Sequence, residues 1–193
     1  MSEFEEHKSH VISHAMVITL LPFLPIPLLD WFLEPVLAKK MLEPIMKYPE
    51  HGRHFVGKGG CFCLGCITGV LLYPFTKLFK ILGFFLNFKK FIRTFYYWLY
   101  KSYILHQAQI ELRDDTLQDH QVMLTFGQDL DTWLRTSPTV PNLGISQLSN
   151  FQAMQMVLQK ISNEGMESLA ILQDTQVLDD WLSLWIEKFK AEA

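Results

Sequence analysis

The sequence predicts an all-α protein made of two unlike halves, 1–105 and 106–193, and three observations carry that reading. The charge divides: through Leu105 there are 12 Lys/Arg against 7 Asp/Glu, a formal +5, and from His106 onward 5 against 13, a formal −8. The first half holds two long uncharged runs interrupted by proline, and 12 of the 15 Phe. The second half repeats apolar residues at helical spacing between acidic and amide residues, the mark of water-exposed helices with one buried face. This division excludes a disordered acidic chain, a collagen, a coiled coil and a disulfide scaffold.

The first uncharged run, Val11 to Leu29, is 19 residues long, which is the length of a candidate membrane span. A secretory signal is not expected. The residues before it (MSEFEEHKSH) carry three Glu and one Lys instead of a basic leader, and no small-residue cleavage site follows. Pro22, Pro25 and Pro27 each remove a backbone donor, so two shorter helices joined by a Pro turn are expected in place of one straight helix. A second run, Gly59 to Thr76, is 18 residues long and carries Pro74 near its end.

Basic residues flank the second run on both sides: Lys39, Lys40, Lys47, Arg53 and Lys58 before it, Lys77, Lys80, Lys89, Lys90 and Arg93 after it. Single crossings would put these clusters on opposite faces of a membrane, against the cytoplasmic bias of Lys and Arg in short loops. The expectation is therefore a membrane-associated chain whose bulk faces the cytoplasm and whose apolar runs enter and return as Pro-broken hairpins or lie in the interface. Two genuine spans, or a soluble chain with a very apolar core, are the alternatives.

The stretch Lys77 to Lys101 interleaves six Lys/Arg with ten aromatic residues and has no acidic residue. Aromatic rings and snorkelling cations suit a headgroup region, so this stretch reads as a basic aromatic interfacial helix, with Lys77, Lys80, Lys89, Lys90, Arg93 and Trp98 as candidate contacts to anionic lipid. The alternative is a buried helix with cations at its ends. Nucleic acid is not the expected partner, because Ile81, Leu82 and Leu86 alternate with the rings and would not tolerate a solvated stacking platform.

From about Gln107, Ile110, Leu112, Leu117, Val122, Leu124, Leu130 and Leu134 mark a soluble helical unit, and Ser137 to Gly144 reads as a loop. A helix is expected from near Ser146 or Ser149 to the Asn163-Glu164-Gly165 stop. The last helix starts at Asp174 and carries Val177, Leu178, Trp181, Leu182, Trp185, Ile186 and Phe189 on one stripe, which fits a core face better than a partner-binding one.

Candidate chemistry is sparse. Cys61, Cys63 and Cys66, with His51 and His54 upstream, have residue types and spacing that could hold zinc or part of an iron–sulfur site, but the usual paired C-x2-C units are missing. Small-residue packing between apolar helices is the preferred reading of the Cys and Gly spacing. His7, His10 and His14 share one helix face. Asp30 is the carboxylate beside the first apolar run, a candidate functional acid or the cap of the helix after the Pro turn. Asp114, Asp115, Asp119 and His120 read as acidic helix surface. No phosphate-binding loop, dinucleotide fingerprint or nucleophile motif is present, so no cofactor is expected and no active site is visible.

The segment His14 to Lys47 (HAMVITLLPFLPIPLLDWFLEPVLAKKMLEPIMK) resembles the Pro-Ile-Pro-x-x-Asp hydrophobic hairpin of bacterial EcsC-like proteins and of the domain that accompanies membrane-associated GTPases. In those families an apolar helix ends at a Pro-rich turn, an Asp follows, and the next helix carries a Lys-Met pair, here Lys40-Met41. Leu28 stands where a Gly commonly follows the second Pro. The resemblance implies membrane association and an accessory role, and no activity. Together these features lead to the expectation of a non-catalytic accessory protein whose basic face binds anionic lipid and whose acidic half meets a protein partner. A soluble lipid carrier, or a small metal or redox protein built on the Cys cluster, are the competing expectations.

Overall fold

Phe4, Val11, Ile12, Ala15 and Ile18 recur at intervals of three, four and seven residues, and all of them are buried on one side of the first helix. The chain is seen in a computed structural model that describes residues 3–23, 29–48, 55, 87–136, 148–165, 168 and 175–192. These residues are overwhelmingly helical, with no strand among them, so the all-α class stands. Seven α-helices are described: α1 (Glu3–Leu20), α2 (Leu29–Leu42), α3 (Phe88–Glu111), α4 (Asp114–Gln118), α5 (His120–Thr136), α6 (Asn150–Glu164) and α7 (Thr175–Glu192).

The α-helix of α1 stops at Leu20 and tightens into a 3-10 turn, Leu21–Phe23, around Pro22. That is the position where a missing N–H and a restricted preceding residue disfavour continuation. Thr19, buried in the last turn, satisfies its hydroxyl by donating to the Ala15 carbonyl at 2.6 Å. α2 continues through Pro35 and buries Ala38, Met41 and Leu42, and a second 3-10 turn, Glu43–Ile45, brings Ile45 and Met46 into the core. Asp30 lies in the first turn of α2.

α3 is the centre of the molecule. From Phe95 to Ala108 most successive residues are buried, including the run Trp98 to Ser102 and the run Ile104 to His106, which requires neighbours on every side of the helix. Those neighbours are α1, α5, α6 and α7. The wide hydrophobic face that suggests an interfacial helix is, from Phe91 onward, covered by protein, and the hydroxyl of Ser102 donates to the Trp98 carbonyl at 2.8 Å. Lys77 and Lys80 lie outside the described residues. Leu105 and His106, where the charge changes sign, sit within α3, and one buried cluster runs from Val11 to Ile186 across that divide.

Local signals explain the remaining helix ends. Asp119 accepts from the backbone N–H of Gln121 and Val122, at 2.8 and 3.2 Å, and so caps α5. Ser149 and Gln152 form a reciprocal capping box that starts α6. Gly165 ends it at φ 80°, a conformation open to glycine because it lacks a Cβ. On α7 the expected core stripe is built as packing. Leu178, Leu182, Trp185 and Ile186 are buried, Trp181 stacks on Trp133 at 5.0 Å, and Trp185 meets Phe126 edge-on at 4.7 Å. Asp174 and the 137–144 stretch lie outside the described residues.

Candidate functional site

Three contacts fix which residues share an end of the bundle. His10 Nε2 lies 3.0 Å from the Lys40 carbonyl, so the tail of α2 is level with the middle of α1. About 15 Å of helix separates His10 from Leu20, and about 16 Å separates Lys40 from Leu29, so the two helices, which pack along one another, are antiparallel and finish level where the chain passes between them. The Phe4 ring packs on Tyr103 at 5.4 Å and on His106 at 5.6 Å, near the C-terminal end of α3. Because α1 and α3 also pack extensively, α3 runs antiparallel to α1, and its first residues lie beside the last turn of α1.

That end of the bundle is both apolar and basic. Val17 and Leu20 of α1, and Phe32 and Val36 of α2, are exposed at 46%, 36%, 57% and 50%. Lys89, Lys90 and Arg93 occupy the first two turns of α3; Lys90 and Arg93 are exposed and Lys89 is half-buried. The backbone N–H of Lys89 donates to Asn150 Oδ1 at 3.2 Å, which brings the start of α6, with exposed Phe151, to the same end. The outer faces of the first helix pair change character along their length. On α1 the exposed stripe runs from Glu6, Ser9 and Ser13 to Val17 and Leu20, and on α2 from Phe32 and Val36 to Lys39 and Lys40. The opposite end holds exposed Glu43, Glu111, Asp114, Asp115 and Asp119, and there Lys47 pairs with Asp114 at 2.5 Å.

Of the lipid-contact candidates, Lys89, Lys90 and Arg93 therefore come together at one end of the bundle. Trp98 does not join them: its side chain is buried, and its ring lies under the Lys101 ammonium at 5.3 Å. Lys77, Lys80, Cys61, Cys63, Cys66, His51 and His54 fall outside the described residues. Among the described residues no group of three or more His, Cys, Asp or Glu is placed to hold a metal ion. On α1 the His10 and His14 rings pack at 4.1 Å, and His14 Nδ1 lies 2.9 Å from the His10 carbonyl, so each imidazole has a nitrogen turned to a backbone acceptor. No helix among the described residues is long and apolar enough to cross a membrane.

A second constellation lies inside the bundle. Lys101 is fully buried, and its ammonium donates to Asp131 Oδ1 at 2.6 Å, to Tyr97 Oη at 3.3 Å and to the Phe55 carbonyl. Tyr97 in turn donates to Asp131 Oδ1 at 2.7 Å. Burial lowers the pKa of Lys101 from its ordinary 10.5, and the Asp131 carboxylate opposes that shift. This group has the character of a structural lock between α3, α5 and the chain at Phe55. Its sequence signal is faint, since Lys101 reads as one more cation of a basic stretch and its carboxylate lies 30 residues away.

Burial also raises several tyrosines: Tyr96 to about 12, Tyr103 to about 12 with help from Asp179, and Tyr97 further, beside Asp131. Between the ordinary value of 10.0 and about 12 the folded chain keeps protons that the unfolded chain releases, so these groups make stability fall as pH rises through that window. Lys101 acts in the opposite sense below 10.5, where the unfolded chain holds a proton the folded chain gives up more readily. Above 10.5 the lysine no longer opposes the tyrosines. The melting temperature, followed by far-UV circular dichroism, is expected to decline from about pH 10 to 12, and a flat profile there would contradict these environments.

Comparison with family models, with curated proteins and with solved structures gives no match for this chain.

Proposed function

We propose that the chain is a membrane-associated, non-catalytic accessory protein whose basic end meets anionic lipid on the cytoplasmic face and whose acidic half meets a protein partner. The observation that carries this reading is the meeting of Lys89, Lys90 and Arg93 with exposed Val17, Leu20, Phe32 and Val36 at one end of the bundle, while exposed carboxylates collect at the other. Cations beside an anionic leaflet contribute about 1 kcal/mol each, and apolar side chains among them gain by leaving water. A purely solvated basic face would have no use for the apolar residues. The resemblance of 14–47 to hydrophobic hairpins of membrane-associated proteins points the same way.

Reversing the cations tests the reading. Lys89→Glu, Lys90→Glu and Arg93→Glu together are expected to weaken co-sedimentation with phosphatidylglycerol-containing vesicles by about a hundredfold or more, and binding of the unaltered chain is expected to fall as salt rises. Since Lys90 and Arg93 are exposed, the fold should persist, which circular dichroism checks. Unchanged vesicle binding by the reversed variant would remove the lipid assignment.

A further inference from the structure

We infer that the α1–α2 pair is a shallow membrane anchor that inserts Val17, Leu20, Phe32 and Val36 into one leaflet of an anionic bilayer and stops where Lys39 and Lys40 reach the headgroups. The inference rests on the membrane-association reading and adds to it the inserting element, its depth and its mode. Phe32, Val36 and Lys39 stand at i, i+4 and i+7 and so share one face of α2, apolar at the end shared with Leu20 and cationic two turns further on. From Phe32 to Lys39 the helix rises about 10 Å.

That length decides the mode. A hydrocarbon core is about 30 Å thick, three times the apolar section, whereas interfacial helices bury their apolar face by about 5–10 Å. The carboxylates of Asp30 and Glu34 in the same stretch further disfavour crossing. Glu34 is exposed too, but it lies about 200° around α2 from Phe32, away from the face that carries Phe32, Val36 and Lys39. The cations of α3, Lys89, Lys90 and Arg93, stand beside the same end and complement an anionic headgroup layer around the inserted residues. Attachment then has two parts, one electrostatic and one apolar, and only the first is screened by salt.

The apolar part is read by Phe32→Ser combined with Val36→Ser, both at exposed positions, in co-sedimentation of the full chain with phosphatidylcholine–phosphatidylglycerol vesicles at high salt. Loss of the partial burial of two such side chains corresponds to roughly a 10- to 100-fold weakening. Depth is read independently by a nitroxide at Val36→Cys and, as a control level with Lys40 and about 16 Å of helix from Leu20, at Ser9→Cys, with Cys61, Cys63 and Cys66 replaced by Ser. On vesicles the label at 36 should become shielded from an aqueous nickel complex and open to oxygen, and the label at 9 should stay accessible to nickel. If the unaltered chain binds vesicles, yet the double Ser variant binds equally at high salt and the label at 36 stays open to nickel, the anchor is overturned while the electrostatic reading stands. If the unaltered chain binds no vesicle at all, both are overturned. The high-salt comparison uses the native cysteines, so it decides the matter even where the Cys-to-Ser background fails to fold.

Discussion

Asp131→Asn is expected to destabilise the chain by about 3 kcal/mol, because it leaves the fully buried Lys101 ammonium without its carboxylate. Tyr97 and the Phe55 carbonyl would still accept from the amine, but neither carries a compensating charge. Asp131 keeps about a quarter of its side chain exposed, so the loss belongs at the lower end of the range for broken buried pairs. Urea unfolding followed by tryptophan fluorescence checks the value. Replacing both partners with apolar residues, Lys101→Met with Asp131→Leu, should recover part of the loss, since the double change leaves no uncompensated charge. An Asp131→Asn variant as stable as the unaltered chain would mean that the pair contributes nothing to holding α3 against α5.

Phe126→Ala is expected to cost about 3–5 kcal/mol. The Phe126 ring is fully buried and lies 4.7 Å from Trp185, 5.9 Å from Trp181 and 6.3 Å from Phe55, so its removal opens a cavity where α5, α7 and the first half of the chain meet. A loss of that size is a large share of the 5–15 kcal/mol typical of a folded domain. Both halves of the chain should weaken together in one transition, because one cluster spans them. Phe126→Leu keeps most of the volume and should cost far less. Two separate transitions in the Ala variant, with only one of them shifted, would show that the halves fold apart.

What the sequence made legible was local. Pro22 ends α1, Ser149 and Gly165 bound α6, and the Trp181–Trp185 stripe faces a core, because each depends on a missing donor, a capping oxygen, a Cβ-free residue or a helical period that neighbouring residues specify. Lys101 and Trp98 were not legible in their true setting. Both sit in a run whose composition suits a headgroup layer, and both are inside because α1, α5, α6 and α7 close around α3, a consequence of long-range packing. The apolar end was legible in part. The sequence marks the run around Pro22 as hydrophobic, but which of its residues face outward follows only from the pairing of His10 with Lys40 and of Phe4 with Tyr103.

The central claim, that the basic and apolar end of the bundle attaches the chain to a membrane, is tested most directly by fractionating cells that express the untagged chain and extracting the membrane pellet in turn with high salt, alkaline carbonate and detergent. Sedimentation with membranes, partial release by salt and complete release by detergent are expected of attachment with one electrostatic and one apolar part. A chain found wholly in the soluble fraction at low salt would contradict it.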